Sequence, residues 1–311
     1  MPADIDFTRV FMRSFIKKLP GSRRAYNALL RFKGRHDSRQ DAQHQQMQQI
    51  LMQQYRENAR NGIRSHRNIA DAGFRCYSQS DEDGIILYVL SCIGMTTRRV
   101  VELCCGNGQE CMATNLILHH GYESYLFDGN KDNIDSARLY FAKRKETFSV
   151  APNLSSAWIT RENVNDLLAN AGATGEVDLL SLDMDGNDYY IWEAISVLNP
   201  RLCVFETHNI IPGDKSLTIP YHPAFSCWDK PGAEKDFRSV SLAAMKKLSE
   251  AKGYRMIGAH RMGFNVFFLR NDIAQELFPA VSIHDVHDNP FTRQAQATRW
   301  PAVEHMPWVE V

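Results

Sequence analysis

The sequence predicts an α/β protein with a mostly parallel sheet, one antiparallel strand, helices on both faces and a helical N-terminal extension. Three observations carry this prediction. Apolar runs of strand length alternate with amphipathic runs of helix length from residue 98 to residue 252. The last two strand patterns, 253–259 and 264–270, follow each other without a helix between them, so one of them must run antiparallel. Strands bounded by helices on both sides imply a sheet covered on both faces.

The extension comes first, over residues 1–75. Residues 1–40 hold ten Lys or Arg (Arg9, Arg13, Lys17, Lys18, Arg23, Arg24, Arg31, Lys33, Arg35 and Arg39) against three Asp. Phe7, Val10, Phe11, Phe15 and Ile16 are interleaved with them. Such a segment fits a helix packed on its own domain or on a second copy in a homo-oligomer, with a solvated basic face. It also suits peripheral contact with an anionic membrane or a protein partner. Residues 40–54 contain eight Gln around Met47, Ile50, Leu51 and Met52, which reads as a polar, partner-facing helix and not as a catalytic element.

The α/β domain spans residues 76–272. Ser78-Gln79-Ser80-Asp81-Glu82-Asp83-Gly84 supplies caps and first-turn acids for a helix through Ile93, and Gly94 stops it. Strands follow at 98–104, 123–128, 155–160, 177–183, 201–207, 253–259 and 264–270. Helices fit 110–120, 131–144, 161–171, 187–198 and 239–252. The last helix places Leu242, Met245 and Leu248 on one face, with Gly253 as its stop.

Residues 208–238 break the alternation with a long loop rich in Pro, Trp and His. Pro220, Tyr221, His222, Pro223, Phe225 and Trp228 are too apolar for a disordered segment, so it reads as a substrate-facing lid insertion. A tail over 273–311, with His284, His287, Trp300, His305 and Trp308, either wraps the domain or reaches a neighbour.

Composition narrows the function class. A chain of 311 residues that is 44% apolar can bury a sizeable core. Thirty-six basic residues balance 36 acidic ones, which gives no electrostatic bias toward nucleic acid. Seven cysteines, an odd number, do not form a disulfide framework and point to a reducing cytoplasm. The sequence holds no run of 18 apolar residues and no signal-peptide core at its start, as expected of a soluble cytoplasmic protein.

The first strand-turn-helix unit indicates a ligand. Its strand ends near Glu102, Gly106 and Gly108 permit a sharp turn and close approach of a ligand to the main chain, and the second strand delivers Asp128. A carboxylate there suits ribose hydroxyls. A dinucleotide fingerprint would have Gly where this chain has Cys111, and Glu110 at the helix start would repel a pyrophosphate. S-adenosylmethionine carries no phosphate and tolerates that acid. A tight turn without ligand is the structural alternative.

A second acidic cluster lies at Asp183, Asp185 and Asp188. Such acids are costly unless paired, hydrated, capping a helix or binding a cation. Asn187 or Asp188 suits the cap, but Asp183 belongs to the strand end and hence to the crevice. Glu206 and His208 end the next strand beside it. Asp183, Asp185, Glu206 and His208 are thus expected to converge, a set that would also suit Mg²⁺ or Mn²⁺, although the spacing matches no dedicated metal motif. His208 is equally a candidate general base, with His222 as the weaker choice. Cys104, Cys105 and Cys111 lack zinc-site spacing and read as packing residues.

These segments together resemble the FkbM-like branch of S-adenosylmethionine-dependent methyltransferases. The resemblance rests on Ser78-Gln-Ser-Asp-Glu82-Asp-Gly-Ile-Ile, Val-Glu102-Leu-Cys-Cys-Gly-Asn-Gly-Gln-Glu-Cys, Leu-Phe-Asp128-Gly129, Thr160-Arg-Glu162-Asn163-Val and Leu-Ser-Leu-Asp183-Met-Asp-Gly-Asn-Asp-Tyr-Tyr-Ile-Trp. Gly253-Tyr-Arg-Met-Ile-Gly and Gly263-Phe-Asn-Val-Phe-Phe-Leu-Arg extend it to about residue 272. It implies a Rossmann-like seven-stranded methyltransferase sheet and O-methylation of a hydroxyl on a sugar, glycan or natural product. By position it places Glu102 and Gly106, with Gly108 in the same turn, at the methionine end of the cofactor. Asp128 and Gly129 fall at the ribose, Glu162 and Asn163 on the adenine side, and Asp183 beside the sulfonium. Cys104 departs from the pattern, standing where the family's turn has its first Gly. Two other readings remain at this stage: a catalytically inactive methyltransferase-fold scaffold acting through residues 1–70, and a nicotinamide enzyme.

Overall fold

The computed structural model describes residues 42–311, and the basic aromatic segment expected over 1–40 lies outside them. The chain divides into two compact units, Met1–Leu51 and Met52–Val311. Helix α1 covers residues 42–60. The helical extension expected over 1–75 ends as an α-helix there. Asn68 then caps a single 3₁₀ turn, Ile69–Ala72, by accepting the Ala70 N–H.

Everything described below lies in the second unit. Helix α2 (Glu82–Ile93) is apolar on almost every side and is buried from Glu82 to Ser91. Its first-turn acids organise the loop before it. Asp83 Oδ2 accepts the N–H groups of Cys76, Tyr77 and Ser78 at 2.6–2.8 Å. The chain continues through β1 (Arg99–Leu103), α3 (Thr114–His120), β2 (Glu123–Asp128), α4 (Lys131–Phe141), β3 (Asn153–Ser156) and α5 (Val164–Asn170). It proceeds to β4 (Gly175–Leu182), α6 (Asp188–Ala194), β5 (Leu198–Glu206), β6 (Leu217–Thr218) and α7 (Leu242–Ala251). The last elements are β7 (Tyr254–Ala259), β8 (Asn265–Arg270), α8 (Ile283–His287), α9 (Pro290–Thr298) and β9 (Val309–Glu310).

Seven strands form one sheet in the order β3-β2-β1-β4-β5-β8-β7. All run parallel except β8, which is antiparallel to both β5 and β7. This is the Rossmann-like seven-stranded sheet with one antiparallel strand that the sequence predicts. Strand residues alternate between two apolar layers. Val100 and Leu179 face the layer holding Ile85, Leu116 and Ile134, whereas Val101 and Leu180 face the one holding Trp192, Phe205 and Met245. Each such fully buried side chain contributes about 1.5–3 kcal/mol of transfer free energy.

Element ends differ from expectation for local reasons. Helix α3 starts at Thr114 and not at 110, because the N–H groups of Met112 and Ala113 donate to Glu102. Helix α6 stops at Ala194. There the Asn165 Oδ1 accepts the N–H of Ser196 and of Val197, and the apolar run leads straight into β5. Strand β3 lies over 153–156, two residues earlier than the pattern suggests, in register with Tyr125 to Asp128.

At the amino-terminal edge of the sheet, Asp178 is completely buried. It accepts N–H groups from Thr96, Thr97 and Arg98, hydroxyls from Thr96 and Tyr122, and Arg201 Nη1 at 3.0 Å. Those donors hold its carboxyl below the usual carboxylate range despite burial. Residues 273–311 fold back onto the same unit. Arg255 donates to the carbonyls of Phe278, Arg270 and Ile273, and β9 pairs with β6. A third apolar cluster joins Ile210, Ile219 and Phe237 to Trp300 and Val303, with Trp308 stacked edge-on against Phe237 at 4.6 Å. Among the described residues no helix is long and apolar enough to cross a membrane.

Candidate functional site

The strand order reverses between β1 and β4, and at such a switch point the carboxyl ends of the strands open a crevice. A cavity of about 470 Å³ lies there. Its walls come from the turn after β1, the end of β2, the loop after β3, the turn after β4 and residues 225–228.

The β1 turn shows what each residue contributes. The N–H groups of Cys104 and Cys105 both donate to Phe127 O, at 2.8 and 2.9 Å, which pulls the turn across β2. Cys104 takes φ of 68°, a left-handed conformation that costs a side-chain-bearing residue about 1–2 kcal/mol. The position where the family pattern has Gly therefore does require a glycine-like backbone. Gly106 lines the cavity, and its N–H donates to Asp128 Oδ2 at 2.8 Å. Gly108 does not line it. A Cβ there would lie 2.8 Å from the Phe141 ring, so this glycine allows the turn to pack on α4.

Glu102 is placed differently from expectation. Its carboxylate accepts the N–H of Met112 at 3.0 Å, the N–H of Ala113 at 2.8 Å and the Cys111 thiol, and it does not line the cavity. Burial raises its pKa. The backbone donors ahead of α3, which would meet a phosphate in a dinucleotide site, are taken by this side chain.

Asp128 does line the cavity. Besides Gly106 it accepts the Asn130 N–H and Asn133 Nδ2, at 2.8 and 3.1 Å, which orients the carboxylate and leaves lone pairs for a ligand. Gly129 lets the Trp158 ring approach, since a Cβ would sit 2.9 Å from it. Glu162 and Asn163 lie behind this wall. Glu162 accepts from the Tyr221 hydroxyl and pairs with Arg161, and Asn163 caps the loop by bonding Thr160 N and Trp158 O. These contacts at an exposed carboxylate hold Glu162 at about 2.

The β4 turn brings the acids together. Asp183, Asp185 and Glu206 each offer an oxygen, all within 4.8 Å of one another. Carboxyls this close cannot all ionise readily, so the arrangement favours one proton shared between Asp183 and Glu206. Burial, reinforced by Asp185, pushes Asp183 up to about 7, and burial with its acidic neighbours pushes Glu206 well above the usual range. Arg238 closes the cluster with Nη1 2.6 Å from Asp185 Oδ1. Burial works against its charge, but Asp185 and Glu206 outweigh burial and keep it positive. Asp188 turns inward instead, accepting from Met184 N, Gly186 N and Ser239 Oγ. Asp185 and Ser239, like Cys104, have left-handed φ of 53° and 57°. Cys104 and Asp185 thus put backbone strain in the cavity wall, as is common at functional sites.

His208 does not join the acids. Its Nε2 lies 2.8 Å from the Asp236 carbonyl, so that nitrogen carries the proton, and burial drives its pKa down to about 3. It is a neutral ring holding the 208–238 segment and does not line the cavity. Within that segment Phe225 and Trp228 line the cavity, while Tyr221 and His222 do not. Trp158 Nε1 donates to Pro223 O at 2.7 Å, Asn187 Nδ2 donates to His222 O at 2.9 Å, and the Arg161 guanidinium lies 4.0 Å over the Tyr221 ring. Sequence reasoning missed Arg238, Trp158 and Asn187 as site residues. Arg238 comes from a distant segment, and nothing in its own neighbourhood announces an acidic partner.

No family model and no curated protein sequence matches the chain. Solved structures do show similarity. Magnesium protoporphyrin IX methyltransferase from Synechocystis with bound S-adenosylmethionine is 11% identical, at a TM-score of 0.36 over 61% of this chain and 77% of that one. An S-adenosylmethionine-dependent methyltransferase from Clostridium acetobutylicum is 12% identical, with a TM-score of 0.38 over 59% and 87%. The N-terminal domain of EvdMO1 with bound S-adenosylhomocysteine is 14% identical, with a TM-score of 0.41 over 69% and 96%.

Proposed function

We propose that this protein binds S-adenosylmethionine at the carboxyl ends of β1, β2 and β4 and transfers its methyl group to an acceptor oxygen. One observation carries the reading: the crevice is lined by carboxylates, while the backbone donors that would seat a phosphate are filled by Glu102 and Asp128. Such a site repels a pyrophosphate and favours a sulfonium. The motif set that resembles the FkbM-like branch agrees with it, as does the sheet order.

In this account Asp128 holds the ribose hydroxyls, Gly106 and Gly129 let the cofactor lie close to the main chain, and Trp158 flanks the adenine. The acceptor oxygen attacks the methyl carbon as the carbon–sulfur bond breaks, and the electron pair leaves with sulfur. Asp183, whose pair with Glu206 holds one proton and one free carboxylate, takes the hydroxyl proton. Residues 208–238 act as a lid, with Phe225 and Trp228 excluding water while the protein holds donor, carbon and acceptor in line. His208 has no part in the proton transfer. Its role is to fix the lid through Asp236.

The acid cluster would also suit Mg²⁺ or Mn²⁺. We favour Arg238 and the shared proton as its counter-charges, because Arg238 already bonds Asp185. Chelation then leaves transfer unchanged, and a rate that returns only on adding Mg²⁺ or Mn²⁺ would contradict this assignment. The test of the main reading is calorimetry with S-adenosylmethionine and with NAD. Binding of the first alone, weakened at least about tenfold in Asp128→Ala, is the expected result. Folded protein that binds neither, or binds NAD, would sink it.

A further inference from the structure

We infer that the acceptor enters this cavity as a cation, carrying a protonated amine that sits between the lid's aromatic rings and the carboxylate oxygens beneath them. The inference rests on the methyl-transfer reading and names the class of acceptor it serves.

Charge is the first argument. Asp128, Asp183 and Asp185 line the cavity, and no Lys, Arg or His does so among the described residues. Glu206 adds a fourth carboxylate, with an oxygen within 4.8 Å of those of Asp183 and Asp185. One shared proton and Arg238 offset part of this, and S-adenosylmethionine brings one net positive charge. A negative charge remains uncompensated in a partly dehydrated site, which is costly. An anionic acceptor would add to that cost, a neutral one would leave it, and an ammonium would remove it.

Hydrogen-bonding capacity is the second argument and is independent of the first. Asn187 is 5% exposed and lines the cavity. Its Nδ2 is engaged by His222 O, while its Oδ1 lacks a hydrogen-bond partner among the described residues. The same holds for Glu206 Oε2, and against these two acceptors the cluster has one unpartnered donor, Arg238 Nε. The surplus is of acceptors. An ammonium brings three donors and no acceptor, whereas a hydroxyl brings one donor and two acceptor lone pairs.

The walls supply the third. Trp158 and Trp228 line the cavity yet remain 55% and 65% exposed, and Phe225 lines it from the same segment as Trp228. Rings in this lid already take cations on their faces: Arg238 lies 5.8 Å from the Trp228 ring and Lys230 5.8 Å from that of Phe225. Aromatic faces above carboxylates are a favourable seat for an organic ammonium.

The experiment compares two probes of the same shape, 3,3-dimethylbutylamine and 3,3-dimethylbutan-1-ol. Each is titrated at pH 7.5 into protein saturated with S-adenosylhomocysteine and followed by calorimetry. The expected result is an amine that binds at least about tenfold more tightly than the alcohol. That preference should fall to about threefold or less in Asp185→Asn and in Trp228→Leu. Trp228 is surface-exposed, so its variant keeps the fold, and retained S-adenosylhomocysteine affinity verifies this. Equal binding of the two probes, tighter binding of the alcohol, or binding of neither by the S-adenosylhomocysteine complex would overturn the inference. Failure of S-adenosylhomocysteine itself to bind would overturn the methyl-transfer reading instead.

Discussion

Asp178 lies in the first half of β4 and Asp183 directly follows its last residue, and the two acids are held in opposite ways. At the amino edge, Asp178 is surrounded by backbone N–H groups, two hydroxyls and Arg201, and its carboxyl stays below the usual range. At the carboxyl edge, Asp183 meets Asp185 and Glu206, and its pKa is pushed up to about 7. One acid is fully served by the chain and ties strands together. The other lacks enough donors, and that deficit is available to a ligand.

Replacement of either partner at the amino edge should have the largest effect. Asp178→Ala or Arg201→Met leaves a buried charge uncompensated and should cost about 3–5 kcal/mol in urea unfolding. A loss below about 1 kcal/mol would remove the contrast.

Asp183→Asn should act with the opposite sign on stability. The folded-state pKa of Asp183 lies above its ordinary value of 3.8, so between about pH 4 and pH 7 the folded chain keeps a proton that the unfolded chain has released. Stability therefore declines as pH rises through that window. Asparagine removes the penalty and should add about 1–3 kcal/mol at pH 8, after discounting for solvent around a half-buried group. Transfer should fall about 10²- to 10⁴-fold. In the parent the rate should rise with pH to a plateau, with a midpoint near 7. His208→Gln should leave that midpoint in place, because the imidazole stays neutral down to about 3.

Two smaller effects sharpen the contrast between a strained edge and a satisfied one. Cys104→Gly should relieve about 1 kcal/mol of backbone strain, partly offset by lost burial of the thiol, and should not weaken S-adenosylmethionine binding. A thermal melt and a titration read both. Tyr221→Phe, which frees Glu162 at the lid, should raise the acceptor KM about two- to threefold with kcat unchanged.

Periodicity made the sheet legible, because strands buried on both faces and helices buried on one leave different patterns. The strand-end acids at 128 and 183 were legible for the same reason, since a residue that closes a parallel strand must face the crevice. What a carboxylate then bonds to was not legible. Glu102 and Asp128 end adjacent strands, yet Glu102 is taken up by Met112 and Ala113 while Asp128 stays open to the cavity. His208 follows β5 closely, but its ring turns to Asp236, a partner contributed by a segment far along the chain. Arg238 was hidden by the same distance. Cys104 looked like a departure from a pattern, and its φ shows that the backbone keeps the glycine geometry regardless.

The most direct test follows the carboxyl carbons of Asp178 and Asp183 by ¹³C NMR as a function of pH, assigned with single Asp→Asn variants. Asp178 should stay ionised below the usual range throughout. Asp183 should titrate near 7 in the free protein and fall by about one unit or more when S-adenosylmethionine brings its sulfonium, but not with neutral S-adenosylhomocysteine. An Asp183 that titrates near 4 in the free protein, or ignores the sulfonium, would contradict the account.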